Sequence, residues 1–171
     1  SSSSWRSNSC APSGSGRSAT NSSRKPRAGS EAASRTVAPA STEAELDELL
    51  HATAEARARD IGPVLRRLEA QGTTPVSIAI GASRHFRALH AAAVDPGGAA
   101  SGIARARPPV PWPHRDRMAR QAQNWGVRRL EEALTHLIDA DLTLRSASNA
   151  PEMAVIERTL IRLAHLGGAR S

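Results

Sequence analysis

With 171 residues the chain has room for one domain and a tail, and only four aromatic side chains (Trp5, Phe86, Trp112 and Trp125) to build it with. Its core must therefore be aliphatic, which suits helix-on-helix packing better than a β-sandwich, and its single cysteine, Cys10, excludes an internal disulfide and a CxxC zinc site. The formal charge of +7 invites a nucleic-acid role, but residues 1–40 carry six basic residues against one acidic, leaving a nearly balanced remainder of 17 basic and 15 acidic, so any basic patch must be argued locally.

The chain begins at Ser1 without an initiator Met, which reads as a fragment or a mis-assigned reading frame. Residues 1–42 are rich in Ser, Arg, Ala, Pro and Gly with no apolar period, and are expected to be disordered. All basic residues except Lys25 and the histidines are Arg, as in GC-rich coding, and a frameshifted GC-rich gene would yield this mixture. No secretory signal is visible, and no apolar run approaches the ~20 residues of a membrane span. The expectation is a cytoplasmic protein without a membrane partner.

A helical domain is expected over 43–166. Thr42 and Glu45 have capping-box spacing, followed by Leu46, Leu49, Leu50 and Thr53 on one face. Asp60 opens a second helix with Ile61, Val64, Leu65 and Leu68, which Gly72 stops. Thr74-Pro75 is an N-cap and N1 pair for a third, carrying Val76, Ile80, Phe86 and Leu89 to the Asp95-Pro96-Gly97-Gly98 turn. A short helix over Ala99–Ala106 precedes Pro108, Pro109, Pro111 and Pro113, which favour extended backbone. A fifth helix is expected from His114 to Gln123, and a sixth from Val127 with Leu130, Ala133, Leu134, Leu137, Asp141 and Leu144 on one stripe. The last opens near Pro151 with Met153, Ile156, Leu160, Leu163 and Ala164, ends at Gly167-Gly168, and leaves 167–171 flexible. The fold class is all-α: a bundle of six or seven helices.

Catalytic patterns are absent from this sequence. There is no GxxxxGK[ST] phosphate loop and no GxSxG elbow. His51, His85, His90, His114, His136 and His165 contain no HExxH pair and read as surface or helix-end residues. Asp139 and Asp141 point to different helical faces, and Asp141, falling on the apolar stripe, needs a structural partner. One constellation invites a binding role. Arg107, Trp112, Arg115 and Arg117 crowd the proline run, where an indole could stack on a base while arginines meet phosphates; alternatively Trp112 folds back as a lid on the bundle. Trp125 reads as a hydrophobic hinge between the fifth and sixth helices.

Several segments occur together in order: Leu65-Arg66-Arg67-Leu68-Glu69-Ala70-Gln71-Gly72, Pro75-Val76, Ser83-Arg84-His85-Phe86-Arg87-Ala88-Leu89, Arg107-Pro108-Pro109-Val110 with Arg115-Asp116, Gln121 to Trp125, Leu130-Glu131-Glu132-Ala133-Leu134, and Ala140-Asp141-Leu142-Thr143-Leu144-Arg145-Ser146. This run resembles the C-terminal collar domain of the bacterial DNA polymerase III delta subunit. It departs from that family at Pro111-Trp112-Pro113, and in having Arg145 where Lys is frequent. The resemblance implies an AAA+-related, non-catalytic subunit of a DNA-directed DNA polymerase (nucleotidyltransferase) complex, needing no cofactor. Its expected partners are the gamma/tau and delta-prime subunits of the clamp loader and, in the assembled complex, primer–template DNA. The sliding clamp would be met only through an N-terminal domain that this sequence lacks. Trp125, Asp141 and Arg145 are then structural or interface candidates. The alternative is a free-standing helical DNA-binding or regulatory protein.

Overall fold

The computed structural model describes residues 40–146 and 151–169, so the expected disordered tail lies outside the described residues up to position 39. Six helices follow in order: α1 (Ala40–Ala54), α2 (Ala58–Ala70), α3 (Pro75–Ala93), α4 (Ala99–Arg105), α5 (Trp112–Arg145) and α6 (Glu152–Gly168). No strand occurs among the described residues, so the chain is the all-α bundle its sequence predicts.

Local signals set most boundaries. Thr74 caps α3, its hydroxyl accepting from the Ser77 amide at 3.2 Å, with Pro75 at the first helical position where no N–H is needed. Gly72, with φ +82°, supplies the left-handed turn after α2. Thr42 is not a cap. It lies inside α1, is buried, and donates to Gln71 Oε1 at 2.7 Å, tying α1 to the end of α2. Helix α1 already includes Ala40, ahead of the expected cap at Thr42.

The fifth and sixth expected helices form one run, α5, interrupted at Gly126, whose φ of +69° and ψ of 160° break the helical path. The halves span 112–125 and 127–145. The first starts earlier than expected, because Trp112 and Pro113 occupy its first turn, where proline costs no hydrogen bond.

The core is aliphatic with two aromatic rings at its centre. Leu49, Ile61, Leu68, Ile78, Leu89, Leu130, Leu137, Ile156 and Leu160 are fully buried around Phe86 and Trp125, each such aliphatic side chain contributing about 1.5–3 kcal/mol. The predicted stripe of α3 is corrected by one position. Ile78, Ala79 and Ala82 point inward and Ile80 is exposed, since Phe86 and Leu89 fix the buried face. Likewise Ala140, not Asp141, lies on the buried stripe of α5. No helix of the described residues is long and apolar enough to cross a membrane.

Candidate functional site

Three constellations hold the polar chemistry of the bundle. The first surrounds the proline run. Val110 anchors it in the core, while Arg107 is exposed. Trp112 is 75 % exposed, which overturns the lid reading. Arg115 turns back, its Nε donating to the Val110 carbonyl at 3.0 Å and its guanidinium lying 5.7 Å from the Trp112 ring centroid. A cation beside an aromatic face orients the indole. Arg117 does not join this group. It lies one turn further along α5 and reaches α1, meeting Glu55 Oε2 at 2.8 Å and Glu48 Oε2 at 3.0 Å. Arg57 also pairs with Glu48 and, at 2.7 Å, with Asp60. Hydrogen bonding from Arg117 holds the Glu55 carboxyl down at about 2 against its desolvation. Glu48 is also held below the ordinary carboxylate range: desolvation pushes it up, but the hydrogen bonds from Arg57 and Arg117 outweigh that.

The second constellation is one that the sequence did not reveal. His51 of α1 and His85 of α3 meet at Gln121 of α5, and His114 joins them through His51. His51 and His114 sit at helix ends as expected, in the last turn of α1 and the first turn of α5, whereas His85 lies in the middle of α3. The His51 and His114 rings stack at 5.3 Å, and His51 meets His85 edge-on at 5.2 Å. One arrangement of protons satisfies the cluster. Gln121 Nε2 donates to His51 Nδ1 at 3.0 Å and to Glu55 Oε1 at 2.9 Å, while Gln121 Oε1 accepts from His85 Nε2 at 3.2 Å. His51 Nε2 then donates to His114 Nδ1 at 3.3 Å. This tautomer assignment follows from the network. Burial pushes His85 down to about 3, aided by the neighbouring His51. Burial and then the Arg117 charge lower His51 as well. An imidazole so reluctant to take a proton is a weak base at neutral pH. Among the described residues no group of His, Cys, Asp and Glu has metal-holding geometry. The cluster serves as a polar joint between α1, α3 and α5.

Trp125, expected between the fifth and sixth helices, ends the first half of α5 just before the break at Gly126. It is buried, stands edge-on to Phe86 at 5.0 Å, and donates from Nε1 to the Ala54 carbonyl at 2.7 Å, satisfying the end of α1.

The third constellation is a surface groove between α3 and the 127–145 half of α5. Asp141 is half-buried there and pairs with Arg145 at 2.8 Å, one helical turn away, so the partner expected for a buried carboxylate is present although the carboxylate is not in the core. Ser83, Arg84 and Arg87 of α3 line the opposite side. Two segments remote in sequence, 83–89 and 140–146, thereby share one face. A separate groove between α5 and α6 is lined by His136, Asp139, Arg158 and Arg162. Compared with known proteins, the chain matches no family model, and neither a curated protein nor a solved structure is significantly similar to it.

Proposed function

We propose that this chain is a non-catalytic assembly domain of the bacterial replicative clamp loader, of the delta-subunit collar type, working in the cytoplasm beside gamma/tau and delta-prime subunits. The observation that carries the reading is the convergence of two of the segments on which the resemblance rests. Arg84 and Arg87 of the first and Asp141, Leu142 and Arg145 of the second line one groove, although nothing in the periodicity of either segment requires them to meet. The polar residues described above support the same reading by being spent on structure: Gln121, Glu55, Arg117 and the three histidines bind one another.

The test is co-purification. The chain mixed with gamma/tau and delta-prime should elute with them from gel filtration and should hydrolyse no ATP alone. Separate elution at concentrations where authentic delta assembles would reject the reading. A second reading, a free-standing DNA-binding helical protein, is favoured by one feature, the exposed Trp112 beside Arg115. It predicts DNA binding by the chain alone.

A further inference from the structure

Five large apolar side chains are exposed among the described residues, and three of them lie together. Ile80 of α3 is 45 % exposed, and Ile138 and Leu142 of α5 are 52 % and 61 % exposed. Single exposed aliphatics are ordinary, but three sharing one groove are not. Ile138 and Leu142 are four residues apart, hence stacked on one face of α5, and Ile80 faces them across the groove. The rim is basic. Arg145 is paired with Asp141, whereas Arg84 and Arg87 form no ion pair with a described residue.

We propose that this groove docks an amphipathic helix of another protein, with apolar residues at three- and four-residue steps flanked by Asp or Glu. The inference rests on the assembly-domain reading, under which that helix belongs to a neighbouring loader subunit. Charge complementarity selects the occupant. The chain's own first 40 residues carry six basic residues against one acidic and would meet a like-charged rim. A second copy docking through the same face would set arginines against arginines, since a two-fold contact repeats one patch on both sides. Nucleic acid would satisfy the arginines but leave the aliphatic floor unused, because the groove has no aromatic side chain on which a base could stack. The volume, about 210 Å³, is below the roughly 300–1,000 Å³ of small-molecule pockets. It suits an anchor side chain of a helix laid along the groove.

The experiment uses the full chain and two fluorescent synthetic helices with the same leucine stripe, one flanked by glutamates and one by lysines. The glutamate helix should bind, with affinity falling as salt rises, and the lysine helix should not. Ile138→Glu should weaken binding at least about tenfold, and Arg84→Glu with Arg87→Glu should do the same; all three positions are exposed, and circular dichroism checks that helicity is kept. Equal binding of the two helices, no binding of either, or indifference to Ile138→Glu would overturn the proposal. A primer–template duplex whose binding is lost in the arginine variant but kept in Ile138→Glu would also overturn it, in favour of nucleic acid. The same variants are run against gamma/tau and delta-prime. If the chain joins those subunits and Ile138→Glu does not weaken the complex, the groove proposal fails while the clamp-loader reading stands. If the glutamate helix binds through the groove and the subunits do not, the clamp-loader reading fails while the groove stands.

Discussion

Trp125 and Gly167 approach so closely that a Cβ on Gly167 would lie 2.6 Å from the indole Cζ2. The glycine sits inside α6, which runs on to Gly168, so it is there to admit the ring and not to stop the helix. The ring cannot give way: it is buried against Phe86 and held by its hydrogen bond to Ala54. Gly167→Ala should therefore destabilise by about 1–3 kcal/mol, the usual cost of overpacking a filled core. Gly81→Ala is the contrast. Its Cβ would meet the Leu46 side chain, nearest at Cδ2 3.4 Å away, an ordinary contact, and relief of glycine's entropy should stabilise α3 by up to about 1 kcal/mol. Chemical denaturation of both variants checks the pair; a Gly167→Ala chain as stable as the parent would contradict the packing described.

Arg117→Ala should lower stability by about 1–3 kcal/mol, between the values for exposed and for buried ion pairs. It leaves Glu55 and Glu48 with Arg57 as their remaining ion-pair partner and loosens α1 from α5. DNA affinity of any assembled complex should not change, because this side chain is committed to carboxylates. A specific affinity loss with unaltered thermal stability would return Arg117 to the DNA-contact group.

Trp112→Ala should do the opposite. With the ring 75 % exposed, its loss should shift stability by no more than about 0.5 kcal/mol. If the indole stacks on a base of primer–template DNA, the assembled loader should lose about 1–3 kcal/mol of DNA affinity at constant salt. Stability and affinity must be measured on the same variant, and unchanged affinity would retire the stacking role.

The histidine joint makes stability depend on pH. In the unfolded chain His85 takes a proton near 6.5, whereas in the fold it resists to about 3. Between these values the unfolded state binds more protons, so this contribution is full above about pH 6.5 and is lost as pH falls towards 3. Glu55, held at about 2 against an ordinary 4.5, adds a loss of the same sign below pH 4.5. His85→Gln keeps a donor for Gln121 but cannot titrate. Between pH 6.5 and 4.5 its stability should fall less steeply than the parent's, by up to about 1.4 kcal/mol per pH unit for one proton. Parallel pH profiles would contradict the assignment.

What could be read from the sequence is what depends on near neighbours. Thr74-Pro75 declared the start of α3 and Gly72 the end of α2, because capping and turn chemistry act within a few residues. The all-α class followed from helical periodicity and scarce aromatics. Periodicity placed the α3 face one position out at Ile80, since its apolar residues nearly encircle the helix and only tertiary packing chooses among them. The His51–His85–His114 cluster was invisible for a stronger reason. Its members come from three helices, His51 and Gln121 being 70 residues apart, and spacing rules test only residues within one element. Gly167 misled because a helix-end glycine and a close-approach glycine look alike in sequence. The groove of Arg84, Arg87, Asp141 and Arg145 was half legible: its two segments stood out by their resemblance, but not as neighbours.

Competition with authentic delta subunit is the most direct measurement of the clamp-loader assignment. Full-length delta, labelled and assembled with gamma/tau and delta-prime, is titrated with this chain, and the labelled subunit remaining in the complex is followed by sedimentation velocity. A collar-type assembly domain should displace labelled delta in a saturable manner. Undisturbed delta occupancy at saturating concentrations of a chain shown by circular dichroism to be helical would contradict the assignment.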